Sequence, residues 1–467
     1  MSRRPRRQHR LRHTAVGAMA LVLIVAACSN SSDTKASSSS SGSGGSASAS
    51  SASGDTTTHV AISGVPGVSD TEIHYSSLGT NSNNPLGTCV LDCFDDGVKA
   101  YFDFRNSQGG IYGRKLMLTK EVDDQLANNQ QKALEIISAN DTFGTFTAAQ
   151  IGSGWADLAS NGIPTYTWAI NPAQTAGHPE IFGNAPTVCI DCTSRSAAFA
   201  VKTAGAHKVA ALGYGVSENS KLCADGVQKS LEQYKDDVGG ASVVVLKDNL
   251  DFGLANGVGP EVTEMKNAGV DFIFGCIDLN GMKTVAQELQ RQGMRQSVKM
   301  AHTNTYDQKF VQDAGDLFVG DIISVGFRPF EADPGSSELK DFREWMGKAG
   351  KAETELAMDG WINADLACQG LVAAGPNFDR QKVIDGSNSK LTKFTAGGLV
   401  PPIDWSRQHE PPTQDDLATH GPAQDCFAYV TVGAGGKFQM VGDPAKPWQC
   451  WPGSTRDWSD PVPTNFS

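Results

Sequence analysis

Cysteine is the residue type with the most chemistry in this 467-residue chain, and its ten copies fall at informative spacings. Cys28 follows Val25-Ala26-Ala27 at the end of an apolar run that starts at Ala15, with six arginines in the first twelve residues before it. A basic segment, about a dozen apolar residues and small residues directly before a cysteine form a bacterial lipoprotein signal, with the thiol as lipid acceptor. The apolar run, residues 15–27, is too short to span a bilayer, which takes about 20 residues. Residues 1–27 are therefore expected to be a signal peptide. The mature chain is expected to start at Cys28, anchored by lipid alone on the extracytoplasmic face of the cell membrane.

Nine cysteines remain, and in an exported chain disulfides are the default. Cys89 with Cys93, Cys189 with Cys192, and Cys426 with Cys450 are the local pairs. Cys223 with Cys276 is a fourth, if the strand ends near Gly213 and Cys276 are neighbours in one parallel sheet; two unpaired thiols are the rival reading. Cys368 is left as a buried thiol in a helix. Zinc at Cys189 and Cys192 would need further ligands that the neighbourhood lacks. A redox role there is opposed by Asp191, whose negative charge raises a thiol pKa. No metal site and no cofactor are expected. There is no G-x-S-x-G, no H-E-x-x-H and no phosphate loop, so no catalytic residue is assigned and an enzyme is not expected. Asp123 and Asp124 read as capping or solvated carboxylates.

Residues 28–58 are almost entirely Ser, Gly, Ala and Thr. With nothing large and apolar to bury, they read as a disordered tether reaching on the order of 30 Å. The 409 residues that follow are enough for two or three domains. The net charge of −12 includes the six arginines of the signal, so the chain from Cys28 carries about −18. Such acidity argues against nucleic acid and against anionic lipid headgroups as partners.

The elements that must position any site alternate strand and helix, the mark of parallel α/β construction. Strands are expected at 59–63, 116–120, 143–147 and 164–169, with helices at 94–106, 128–139 and 155–160. The pattern restarts with strands at 208–213, 242–246, 272–276 and 298–302, and helices at 221–235, 260–268 and 282–292. A Pro/Gly/Thr-rich break at 177–192 favours two lobes over a single nine-strand sheet. Late in the chain, 427–432 and 437–441 flank Gly433-Ala434-Gly435-Gly436 as a hairpin.

The run Asn106-Ser107-Gln108-Gly109-Gly110-Ile111-Tyr112-Gly113-Arg114-Lys115-Leu116, followed by Val122-Asp123-Asp124-Gln125, resembles the N-x-x-GGI-x-GRKL … DDQ signature of branched-chain amino-acid type substrate-binding proteins of ATP-binding-cassette transporters. The resemblance implies an α/β two-lobed clamp, each lobe a parallel-dominated sheet with helices on both faces, joined by three interlobe crossovers. It places lobe I at 59–176 plus 326–424 and lobe II at 177–325 plus 425–441, leaving 442–467 as an irregular tail. By the same resemblance, the loops Thr147-Ala148-Ala149-Gln150 and Trp168-Ala169-Ile170-Asn171 hold the solute in lobe I. Tyr214, Asn219, Asp278, Thr303 and Asn304 close on it from lobe II. Hydroxyl positions of the first loop are alanine here, and no carboxylate stands at Thr303 or Asn304, so Asp278 is the candidate partner for a ligand ammonium. Asp278 also reads as a helix cap, Asn304 as a turn residue and Trp168 as core, whereas Tyr214, between two glycines, reads as a ring presented outward.

The function implied is capture of a small polar solute, such as an amino acid or amide, by hinge closure and delivery to an ATP-binding-cassette permease by a monomeric receptor. A sensor that presents ligand to a signalling receptor is the alternative, and an enzyme on the same fold ranks below both.

Overall fold

The computed structural model describes residues 56–84, 87–168, 172–187, 189, 192–333, 337–410, 413 and 424–466. The expected signal peptide, Cys28 and nearly all of the expected tether lie outside them. No helix among the described residues is long and apolar enough to cross a membrane.

The first sheet holds β1 (Glu72–Gly79), β2 (Lys115–Asp123), β3 (Gly144–Ala148), β4 (Thr165–Thr167) and β5 (Ile181–Gly183) in the order β2-β1-β3-β4-β5. All of its pairs are parallel. The second sheet repeats that order as β7-β6-β8-β9-β10, from β6 (Lys208–Tyr214), β7 (Ser242–Leu250), β8 (Phe272–Cys276), β9 (Lys299–His302) and β10 (Ile322–Val325). It then continues antiparallel through β11 (Gln424–Val432), β13 (Trp448–Pro452) and β14 (Val462–Thr464), while β12 (Phe438–Met440) pairs with β11. Central strands such as β3 and β8 are buried along their whole length, as a parallel sheet covered by helices on both faces requires.

The expected strand at 59–63 is irregular, and β1 lies further on, at Glu72–Gly79. This strand carries buried serines that an apolar pattern does not reveal. Ser76 Oγ bonds Thr145 Oγ1 at 2.9 Å and Ser77 Oγ donates to Asp95 at 2.6 Å, so both hydroxyls are satisfied inside the lobe. The segment at 60 is held instead by Arg114, which is buried and donates to the carbonyls of Val60 at 2.7 Å and Ser69 at 2.8 Å. Asn106 clasps β2 by donating to Leu116 O at 2.9 Å and accepting from Leu116 N at 2.8 Å. Gly109, Gly110 and Gly113 take φ of 101°, 70° and 75°, a region other residues rarely enter, and make the turns between helix and strand. The Asn-Gly-Gly-Gly-Arg-Lys landmark is thus a structural clasp.

Two expected boundaries are corrected. The first lobe does not end at 176, because β5 pairs with β4 and the chain crosses to the second sheet only after Gly183. The tail at 442–467 is not irregular, since β13 and β14 extend the second sheet, with Trp448 and Trp451 buried. Pro452 ends β13 and Pro463 sits on the edge strand β14, where a missing N–H is tolerated.

The structure joins Cys89 to Cys93, Cys189 to Cys192, Cys223 to Cys276 and Cys426 to Cys450, and leaves Cys368 as a buried free thiol. Cys426 and Cys450 face each other across β11 and β13. The bridge spans a sequence separation of 24 residues, for which loop-closure entropy gives roughly 3 kcal/mol. Replacing both by alanine is expected to lower stability by about that amount in a urea titration.

The longest helix, Glu355–Ala374, is buried continuously from Ala357 to Leu371. Apolar on nearly all sides, it forms the core of the first lobe, packed against the helix Leu91–Ser107. Its N-terminus, capped by Thr354, faces the cleft described next.

Candidate functional site

In open parallel sheets, ligands meet the carboxyl ends of strands where the strand order reverses. Both sheets have that reversal, at β1/β3 and at β6/β8, and both switch points open on one cleft of about 570 Å³.

The first-lobe wall begins with the residues after β3. Thr147, Ala149 and Gln150 line the cleft. Ala148 does not: it is fully buried at the end of β3, and its carbonyl accepts from Thr80 N at 3.0 Å. Gln150 is held at both ends of its backbone and side chain. Its N–H donates to Thr80 Oγ1 at 3.1 Å, and its Nε2 donates to Asn84 Oδ1 at 2.9 Å and Thr88 Oγ1 at 3.3 Å. Its Oε1 is shut off from solvent and has no partner. Trp168 follows β4, its N–H bonded to Thr147 O at 2.9 Å, and its ring packs on the core while lining the cleft. Core and wall are therefore the same surface. Ala169 and Asn171 lie outside the described residues.

The second-lobe wall is built around Tyr214, whose ring is buried, contrary to the outward presentation expected from its flanking glycines. It packs edge-on against Phe252 at 5.2 Å, and its hydroxyl donates to Asp278. Burial first, then the Asp278 charge, drives the phenol well above its ordinary range. Asp278 Oδ1 accepts from Asn280 N at 2.9 Å and Gly281 N at 3.2 Å, so the carboxylate caps the helix Leu279–Arg291 while holding Tyr214. Thr303 donates to Gly275 O at 3.2 Å and Asn304 Nδ2 to Thr303 Oγ1 at 3.2 Å. Asn219 and Asn304 are exposed at the rim. The Cys223–Cys276 bridge, Cα atoms 5.9 Å apart, ties the helix after β6 to the end of β8, and both cysteines line the cleft.

Sequence reasoning missed Asp307 and Phe310 on the second lobe and Thr354, Glu355 and Leu356 on the first. The helix that carries Cys368 begins at Glu355, and its Thr354 cap was the available signal. Glu355 is partly buried. Desolvation, then the neighbouring Asp359, pushes it well above the usual carboxylate range, against the help of a hydrogen bond from the Tyr306 backbone. Asp359, one turn along the helix, is buried, accepts from Asn184 Nδ2 at 2.7 Å and is pushed up to about 8, chiefly by desolvation. No cluster of three metal-ligating side chains occurs among the described residues.

The sequence profile of the periplasmic binding protein family matches residues 90–436, about three quarters of the chain. The chain belongs to this family. Solved structures share its type I fold. A fatty acid ABC transporter substrate-binding protein from Thermomonospora curvata aligns with a TM-score of 0.62 at 18% identity, covering 85% of this chain and 100% of its own. A branched-chain amino acid ABC transporter protein from Thermus thermophilus with bound valine gives 0.60 at 16%, covering 80% and 95%. A solute-binding protein from R. palustris in complex with 4-hydroxybenzoate gives 0.61 at 18%, covering 79% and 96%. No curated protein matches the sequence. The family places the chain outside the cytoplasm, and its fold is the two-lobed α/β clamp anticipated from the signature at 106–125.

Proposed function

We propose that this chain is an extracytoplasmic receptor that captures a small polar solute between its lobes and delivers it to an ATP-binding-cassette permease, as a binding protein and not an enzyme. The observation that carries this reading is the convergence of both strand-order reversals on one cleft of about 570 Å³, a volume suited to a small molecule. The candidate contacts are Thr147, Ala149, Gln150 and Trp168 from one side and Tyr214, Asn219, Asp278, Thr303 and Asn304 from the other. Valine and 4-hydroxybenzoate, bound by two of the structural neighbours, are solutes of that scale.

A solute that touches both walls stabilises the closed arrangement by its differential affinity for it. Small-angle scattering of the purified chain across a solute library should show compaction with the cognate compound; a profile unchanged by every solute would count against capture. The receptor is held at the membrane by lipid on Cys28, through a flexible tether. Cys28→Ser is expected to abolish lipid labelling and move the protein to the soluble fraction, and retention on membranes after a high-salt wash would refute the anchor.

A further inference from the structure

The charge of the cleft is one-sided. The described residues that line it include four carboxylates, Glu218, Asp278, Asp307 and Glu355, and no Lys, Arg or His. Asp278 is engaged by Tyr214 and by the helix it caps. Asp307 Oδ1 accepts from Phe310 N at 2.8 Å and is otherwise open to the cleft wall it lines. The charged groups that bear on Glu355 are carboxylates: Asp359 from its own helix and Asp307 from the opposite lobe both oppose its ionisation. Tyr306, next to Asp307, gives Glu355 its backbone N–H, while the Tyr306 hydroxyl goes to Glu331 at 2.5 Å. A cation near this wall, Lys283, sits 5.3 Å from the Phe310 ring and does not line the cleft.

Several backbone donors at the cleft are occupied within the protein. At the strand ends, Gln150 N goes to Thr80, Trp168 N to Thr147 O and Tyr214 N to Ser220 Oγ at 2.7 Å. At the helix starts, Leu91 N goes to Thr80 O, Asp92 N to Asn81, and Asn280 N and Gly281 N to Asp278. The buried polar atom left open at the wall, Gln150 Oε1, is an acceptor. Aromatic faces from both lobes, Trp168, Tyr214 and Phe252 among them, complete the lining. Carboxylates with aromatic rings and acceptor oxygens are the chemistry that holds a positively charged nitrogen.

We infer that the solute is an organic cation, an amine or a quaternary ammonium, whose charge is met by Glu355 and Asp307 and whose body lies against the Trp168 and Tyr214 rings. This rests on the solute-capture reading and narrows it. Burial and the neighbouring Asp359 and Asp307 raise the pKa of Glu355, so a cation that pairs with its carboxylate displaces a proton wherever the empty site holds one, and that proton leaves to solvent. Binding therefore tightens as pH rises.

The test uses the purified full chain and calorimetry with choline and putrescine, against 3,3-dimethyl-1-butanol (the uncharged isostere of choline), valine and 4-hydroxybenzoate. A cation is expected to bind at least 10-fold more tightly than the uncharged isostere and the two carboxylate compounds. The apparent enthalpy should differ between buffers of different ionisation enthalpy, reporting proton release. Glu355→Gln should weaken cation binding at least 10-fold and abolish that proton release while unfolding at the temperature of the parent. Should Glu355→Gln fail to fold, Asp307→Asn, which keeps the helix cap, should show the same loss of affinity. Tightest binding by valine or 4-hydroxybenzoate, equal binding by the uncharged isostere, or a folded Glu355→Gln chain with undiminished cation affinity would overturn the inference. Binding by none of the five would count instead against solute capture itself.

Discussion

Replacing Gly97 by alanine is expected to destabilise the chain by about 1–3 kcal/mol, although alanine is the better helix former by about 1 kcal/mol. Gly97 lies in the helix Leu91–Ser107 where it crosses the helix Glu355–Ala374, and a Cβ there would overlap the Ala357 carbonyl oxygen. The contact is reciprocal. A Cβ on Gly360 would overlap the carbonyl oxygen of Phe94, so the two backbones touch through a pair of glycines. The helices must separate or bend to admit the methyl group, and neither backbone can yield as a flexible side chain would. Because Glu355 starts the second helix, the shift should also disturb the cleft. Gly347→Ala is the control: its helix is Ser337–Ala349, nothing lies within 4 Å of the added Cβ, and stability should rise by up to about 1 kcal/mol. Denaturant titrations of both variants check the sign, and a Gly97→Ala chain as stable as its parent would refute the close crossing.

Asp95→Asn is expected to reverse its effect on stability with pH. Asp95 is fully buried under the first lobe, takes a hydrogen bond from Ser77 at 2.6 Å, and has no partner at Oδ1. Desolvation chiefly, opposed by the Ser77 bond and aided by Glu121, pushes it up to about 8. The folded chain thus holds a proton that the unfolded chain releases near pH 4. The resulting stabilisation is complete below pH 4 and is lost as pH rises to about 8, on the order of 5 kcal/mol in all. An asparagine cannot lose that proton, but it carries an extra amide N–H without a partner, costing about 1–2 kcal/mol. The variant should be less stable than the parent by that amount at pH 4 and more stable by about 3 kcal/mol at pH 9. Thermal unfolding at the two pH values checks the crossover; parallel pH profiles for parent and variant would show that Asp95 ionises normally in the fold.

Much of the framework was legible along the chain. The helix 155–160 and the strand 272–276 lie where alternation placed them, because β8 is a fully buried apolar run and such runs announce themselves. The residues after β3, β4, β6, β8 and β9 reach the cleft because parallel strands deliver their carboxyl ends to one edge. The hidden elements are those whose burial is polar. β1 encloses Ser76 and Ser77, and its register became readable only with Thr145 and Asp95 beside it. Tyr214 looked outward because glycines flank it, and turned inward because Phe252 and Asp278, distant in sequence, cover it.

By itself the sequence determined the parallel α/β construction, the clasp at 106–125 and the strand-end loops, since each rests on local periodicity and turn chemistry. Only the tertiary structure decided what those loops face. The acidic wall joins Glu355 from one lobe to Asp307 from the other, 48 positions apart, and their mutual charge repulsion exists only once the fold brings them together. The occupied amides at the strand ends are likewise invisible in sequence, because a hydrogen bond between Gln150 and Thr80 depends on sheet neighbours and not on chain neighbours.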